Sequence, residues 1–80
     1  MKSVEDVFAI IVQHTCEVIP NLESHRFQFT DSLRDLGANS IDRSEIIMMT
    51  LESLSLKIPL IHVARAENMG ELASLIHEKL

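Results

Sequence analysis

Apolar side chains recur at helical spacing in three separate stretches of the chain. The first stretch begins after Ser3, and Asp6 lies three residues further on, so the pair forms a capping-box variant at a helix start. Pro20 stops the helix just after Val18. One face of this helix is predicted to carry the apolar stripe Val4, Val7, Phe8, Ile11, Thr15 and Val18.

A second helix is predicted over about Ile41–Leu54, with a core stripe on one side. Pro59 limits any continuation, and a short helix is expected over His62–Glu67. Asn68 is a suitable N-cap for a last helix, since Glu71 stands at the capping-box position. The core stripe of the second helix is Ile46, Ile47, Thr50, Leu51 and Leu54, and that of the last helix is Leu72, Leu75, Ile76 and Leu80.

The connection from Pro20 to Asn39 is longer than most connections inside compact domains. Its apolar residues can anchor it to the helices, and one helical turn is expected over Thr30–Leu36, ended by Gly37. No strand alternation or internal repeat is present in the sequence. We therefore expect one all-α domain over residues 1–80, a helical bundle with one long anchored loop. The anchoring residues are Phe27, Phe29, Leu33 and Leu36.

The other side of the second helix mixes apolar and acidic side chains, an arrangement that is unusual for a purely solvated face. Ile41, Glu45, Met48 and Glu52 line up at spacings of four, three and four, and Asp42 and Met49 border them. Exposed methionine suits contact with partners, and carboxylates steer basic surfaces. We interpret this face as a partner-binding surface, although scattered exposed apolar residues are common on proteins that bind nothing.

Arg43 lies near the start of the same helix and has two open interpretations. It can discriminate between partners, or it can be a surface arginine whose stem covers the rim of the core.

The composition of the chain narrows the classes of partner that it can bind. A net charge of −5 argues against nucleic acid and anionic membranes. With Cys16 alone no internal disulfide can form, and no signal-peptide or membrane-spanning run is seen, so a cytoplasmic monomer is expected.

Ser40 is the residue on which the functional hypothesis depends. It follows Leu36-Gly37-Ala38-Asn39 and opens the second helix, where backbone N–H groups and the helix dipole favour an anion. The alternative is an ordinary N-cap. No metal-ligand spacing is found, and no sequence neighbour of Ser40 could activate it, so we expect neither a metal site nor catalysis. The chain's histidines, His14, His25, His62 and His77, are expected to be surface or partly buried residues.

The motif Gly37-Ala38-Asn39-Ser40-Ile41-Asp42, the two glutamates that follow it, Ile58-Pro59 and the capped outer helices together resemble an acyl carrier protein. The resemblance covers the whole chain. It implies a four-helix bundle, with three main helices and one short helix, and 4′-phosphopantetheine joined to Ser40 by a phosphodiester. The prosthetic thiol would carry acyl groups as thioesters, and a phosphopantetheinyl transferase would attach the arm. The family usually has aspartate where this chain has Asn39, which removes a charge that helps the transferase to dock.

The segments Gly37–Ile46 and Leu54–Pro59 are similar to the free-standing carrier proteins of bacterial polyketide β-branching. That likeness implies an antibiotic-type pathway with three further partners: an acyltransferase, a decarboxylating ketosynthase and an HMG-CoA-synthase-like enzyme that receives an acetyl unit. Arg43 and Met48 then become candidates for partner discrimination. The alternatives are a general polyketide or fatty-acid carrier and an unmodified helical interaction module. Intact mass after reaction with coenzyme A separates a carrier from such a module.

Overall fold

A computed structural model describes residues 2–80, and three α-helices form the body of the molecule. They are α1 (Val4–Val18), α2 (Ser40–Ser53) and α3 (Met69–His77). Two 3₁₀ turns, Pro20–Leu22 and Leu60–His62, lie in the connections. Helix α1 packs against both α2 and α3. The expected all-α fold with a long first loop is confirmed, and none of the helices within residues 2–80 is both long and apolar enough to cross a membrane.

Helix α1 starts where the capping box predicts. The Asp6 N–H donates to Ser3 Oγ at 3.2 Å, and the Ser3 N–H donates to Asp6 Oδ2 at 2.9 Å. The Ser3 backbone N–H and hydroxyl lower the pKa of the Asp6 carboxyl, because both favour its charged form. The predicted stripe faces the core, with Val7, Ile11 and Thr15 buried.

His14 is more buried than the sequence suggests. It is 9% exposed, and its ring lies between Glu17 on its own helix and Ser53 at the end of α2. A carboxylate can only accept, so His14 Nδ1–H donates to Glu17, and in the neutral ring Nε2 accepts from the Ser53 hydroxyl at 2.7 Å. The histidine therefore fastens α1 to α2, which no local pattern in the sequence indicates.

The long loop is held to the helices at Phe29 and Asp31, near its middle. Asp31 and Phe29 give their backbone carbonyls to the first N–H groups of α3, at Met69 and Gly70, both at 2.8 Å. The Phe29 ring packs against the Phe8 ring, with centroids 4.6 Å apart, although Phe29 stays partly exposed. These contacts confirm that the loop is anchored to the helices.

Two expectations about local structure need correction, and the expected stop at Pro20 is confirmed but incomplete. The short helix expected over His62–Glu67 is a 3₁₀ turn at Leu60–His62, because the chain turns directly after extended Pro59. Pro20 does more than stop α1, since it also opens a 3₁₀ turn. Leu80 was expected on the core face, but α3 ends at His77 and Leu80 is 52% exposed.

The core lies where the three helices meet and is closed by the loop. The stripes predicted for α2 and α3 are buried apart from half-buried Leu75 and exposed Leu80, and Leu33 and Ala38 add to them from the loop. Cys16 is half-buried, and burial, with a smaller effect of the Glu23 carboxylate, raises the pKa of its thiol, so it stays protonated at neutral pH. A packing role for Cys16 agrees with these surroundings.

Candidate functional site

The start of α2 is capped by Asn39, and this leaves Ser40 free. The Asp42 N–H donates to Asn39 Oδ1 at 2.8 Å, and the Asn39 N–H donates to Asp42 Oδ2 at 3.3 Å. Ser40 is therefore the first helical residue and not the N-cap. It is exposed, and its hydroxyl makes no hydrogen bond within residues 2–80.

The turn before α2 fixes the position of this serine. Residues 33–38 form a helical turn closed by two bonds, from the Gly37 N–H to the Arg34 carbonyl at 3.1 Å and from the Ala38 N–H to the Leu33 carbonyl at 3.0 Å. This is a Schellman arrangement, which needs a left-handed residue, and Gly37 has φ +105°. The expected turn ended by Gly37 is confirmed, although it starts later than Thr30. Ala38 and Leu33 are buried, so the turn is anchored to the core.

Donors without a partner lie at the start of α2, next to Ser40. The backbone N–H groups of Ser40 and Ile41 form no hydrogen bond within the described residues 2–80, as expected for the first turn of a helix. They stand at the positive end of the α2 dipole. Arg43 is half-buried, and its Nη1 donates to the Ala38 carbonyl at 2.7 Å. The Arg43 guanidinium is therefore tied to the backbone near the start of α2, and its role in discriminating between partners stays a prediction.

The side of α2 that the sequence predicts for partners forms one shallow, open groove, whose lining residues all belong to α2. It is lined by Ser40, Ile41, Ser44, Glu45, Met48, Met49 and Glu52. Ile41 is 73% exposed and Met48 is 59% exposed, so neither belongs to the core. The residues proposed from the sequence are therefore brought together, except that Asp42 caps the helix and Arg43 points to another side. The groove combines apolar contact area with two carboxylates, which fits a partner whose surface is both apolar and basic.

A second, deeper cleft of about 670 Å³ lies on the Arg43 side of Ser40. Ser40 and Ser44 border both the groove and this cleft, so Ser40 stands at their junction. The cleft separates α2 from the loop and from the approach to α3. Its charged lining residues are Arg34, Asp35, Arg43 and Glu67, and its apolar ones include Leu33, Ile47, Leu60, Val63 and Leu72.

Ile61 is an exposed apolar residue that the sequence reasoning missed. It is 76% exposed and lies on the 3₁₀ turn that packs against α2. The sequence does place Ile61 in an apolar run after Pro59, but the side on which it emerges depends on where the turn begins. Within residues 2–80 no group of three or more His, Cys, Asp or Glu side chains could hold a metal ion.

Similarity to known proteins extends over nearly the whole chain. It is 49% identical over 74 residues to the polyketide biosynthesis acyl-carrier-protein AcpK of Bacillus subtilis (strain 168), which covers 92% of this chain and 90% of that protein. The fold matches the crystal structure of the Curacin biosynthetic pathway HMG synthase in complex with acetyl donor-ACP. That match has a TM-score of 0.95 and 50% identity, and covers 98% of this chain and 100% of the matched one. No family model matches the sequence.

Proposed function

Because this chain belongs to the acyl carrier proteins of polyketide biosynthesis, we propose that it carries its acyl group on a 4′-phosphopantetheine arm at Ser40. The observation that carries this proposal is the free hydroxyl of Ser40 at the capped start of α2. Proteins of this kind are carriers and not catalysts. Residues 1–80 then form a single carrier domain that works as a monomer.

The residues around Ser40 fit a phosphodiester. The hydroxyl is exposed and uncommitted, two backbone N–H groups are free nearby, and the Arg43 guanidinium lies one turn along the same helix. In the attachment reaction the Ser40 oxygen forms a new bond to phosphorus while the P–O–P bond of coenzyme A breaks. Adenosine bisphosphate leaves with that electron pair, and the hydroxyl proton passes to a base on the transferase. When bound, the arm supplies a thiol that holds acyl groups as thioesters.

The chain itself holds the attachment point in place and provides the surface that partners recognise. Ser40 stands at the end of the groove that contains Ile41, Met48 and Glu52, so a partner docked on this groove lies next to the attachment point. The groove residues Ile41, Glu45, Met48, Met49 and Glu52 are then the partner contacts, while Asn39 and Asp42 hold the start of the helix. This arrangement explains how so small a domain can work without an active site of its own.

We propose that the carrier delivers its acyl group to an HMG-CoA-synthase-like enzyme. Support comes from the matched structure, in which an acetyl donor-ACP of the same fold, 50% identical, is bound to an HMG synthase. We place the protein in the cytoplasm as the donor carrier of polyketide β-branching. A phosphopantetheinyl transferase modifies it, an acyltransferase loads it, and a decarboxylating ketosynthase generates the acetyl unit. A general polyketide carrier is the competing assignment.

Binding to two purified enzymes separates these assignments. The acetylated carrier is titrated with an HMG-CoA-synthase-like enzyme and, separately, with an elongating ketosynthase. We expect at least tenfold tighter binding to the synthase-like enzyme, and equal affinities would contradict the donor assignment.

Variants test whether the groove is the docking surface. Truncating the central apolar anchor with Met48→Ala is expected to weaken binding to the synthase-like enzyme by about tenfold. Leu80→Ala is the matched control, because Leu80 is 52% exposed but lies outside the groove. If both substitutions have the same effect on affinity, the groove is not the docking surface.

A further inference from the structure

Arg43 is a cation without a carboxylate partner among the described residues, in a protein that carries a net charge of −5. Within residues 2–80 the side chains that contact a carboxylate at ion-pair distance are two histidines, His14 beside Glu17 and His25 beside Asp31, and Arg43 is not among them. The side chain is half-buried and held by its bond to the Ala38 carbonyl, which uses one of its five N–H donors. A fixed guanidinium with free donors is suited to bind an oxyanion.

The position of Arg43 relative to Ser40 indicates which oxyanion. Residues three apart on a helix are neighbours, so the arginine lies one turn from the Ser40 side chain on the same helix. Both side chains line the same cleft. The guanidinium also reaches back to Ala38, two residues before Ser40, which places it at the N-terminal end of α2. An anion joined to the Ser40 hydroxyl would therefore be formed within its reach.

The two sides of Ser40 differ in charge. The groove side carries Glu45 and Glu52 and no basic residue, so it repels a phosphate. The cleft side carries two guanidinium groups, Arg34 and Arg43, against the carboxylates of Asp35 and Glu67. Of these two guanidiniums, Arg43 is the less exposed and is fixed by a hydrogen bond.

From these observations we infer that Arg43 binds the phosphodiester formed at Ser40 and directs the base of the arm toward the cleft, away from the acidic groove. This inference rests on the proposed attachment at Ser40. Arg43 is then a positioning residue for the arm, and the partner-binding groove stays uncovered while cargo is carried. Its action toward partners would follow from where it holds the arm.

A cycle of four proteins tests the inference. Unmodified and phosphopantetheinylated forms are prepared of the wild type and of Arg43→Gln, with complete modification verified by intact mass, and each is unfolded in urea. Both forms of the variant lack the hydrogen bond to the Ala38 carbonyl, so this loss cancels when the two forms are compared. The difference between the wild type and the variant in how much modification changes stability therefore isolates the contact of Arg43 with the phosphodiester. The expected contribution is a factor of about three in the unfolding equilibrium constant, as for a partly exposed ion pair.

We expect modification to raise the urea midpoint of the wild type, and to raise it by less than half as much in Arg43→Gln. Added salt should reduce the gain in the wild type. Arg65→Gln removes the same charge from an exposed residue outside the cleft, so it should keep the full gain. The ³¹P resonance of the phosphodiester should shift in Arg43→Gln and not in Arg65→Gln.

If Arg43→Gln does not fold, Arg43→Lys replaces it in the cycle. Modification should then raise the urea midpoint by less than in the wild type, because lysine lacks the fork of donors of arginine. Equal gains in the wild type and the Arg43 variant, with an unchanged ³¹P resonance, would overturn the inference while leaving attachment intact. Absence of any mass increase in the wild type would instead overturn the proposed function.

Discussion

At the scale of single residues, the site depends on which residue caps α2. Asn39 accepts the Asp42 N–H, and this leaves the Ser40 hydroxyl without a partner within residues 2–80. The sequence predicted Ser40 as an attachment position for a phosphate-bearing group but could not separate this role from that of an N-cap, because serine and asparagine are both good caps. The backbone geometry decides which of the two residues is the cap, since Gly37 with its positive φ fixes where the preceding turn ends.

Substitutions of Asn39 separate its capping role from its charge. Asn39→Ala should lower the free energy of unfolding by about 1 kcal/mol through loss of the cap, measured by urea denaturation. Asn39→Asp should keep the stability, because aspartate caps equally well, and should raise kcat/KM for a broad-specificity phosphopantetheinyl transferase several-fold. An unchanged kcat/KM in Asn39→Asp would show that the missing charge does not limit recognition.

At the scale of elements, helical periodicity predicted α1, α2 and α3 to within a few residues. The stripes of buried side chains were predictable because helices repeat every 3.6 residues. The burial of His14 was not predictable in this way, since it depends on a contact between distant parts of the chain. His14 reaches Ser53, 39 residues away, which no local pattern encodes.

The loop and α3 approach each other closely at Phe29 and Gly70, and this approach requires glycine at position 70. A Cβ added at Gly70 would lie 2.8 Å from Phe29 Cβ and 3.0 Å from the Phe29 carbonyl oxygen. Gly70→Ala should therefore lower the free energy of unfolding by about 1–3 kcal/mol, as expected for overpacking. Ser74→Ala, at an exposed position of the same helix, is the control and should not destabilise. A neutral Gly70→Ala would show that the loop can move away from α3 without cost.

Asp31, whose carbonyl binds the first N–H of α3, also makes the stability of the loop depend on pH. The Gln28 N–H and then His25 Nε2 donate to the Asp31 carboxylate, and both lower the pKa of that carboxyl. A lowered pKa in the folded state adds stability above the ordinary aspartate pKa of about 3.9, and this stability is lost as the pH falls through the folded value.

Asp31→Asn tests this dependence by urea denaturation across the acidic range. The variant should be less stable than the wild type at neutral pH, and the difference should shrink as the pH falls below the ordinary aspartate range and vanish once the folded carboxyl is protonated. A difference in stability that stays constant down to low pH would rule out the ionised carboxylate as its cause.

At the scale of the whole molecule, the bundle separates two surfaces on either side of Ser40. One is the acidic and apolar groove of α2, and the other is the cleft that contains Arg43. The sequence predicted the groove, because its residues share one helix. The cleft could not be predicted, since its walls come from α2, the loop and the residues before α3. A carrier that presents cargo needs only such surfaces, because its partners perform the chemistry.

The attachment of the arm at Ser40 is tested most directly by intact-mass analysis after incubation with coenzyme A and a broad-specificity phosphopantetheinyl transferase. The wild type should gain the mass of one phosphopantetheine, and fragmentation should place it on Ser40. Ser44→Ala, one turn further along α2 and lining the same groove and cleft, should be modified like the wild type, whereas Ser40→Ala should gain nothing. An unchanged wild-type mass, or a mass gain that persists in Ser40→Ala, would contradict the assignment of Ser40 as the attachment point.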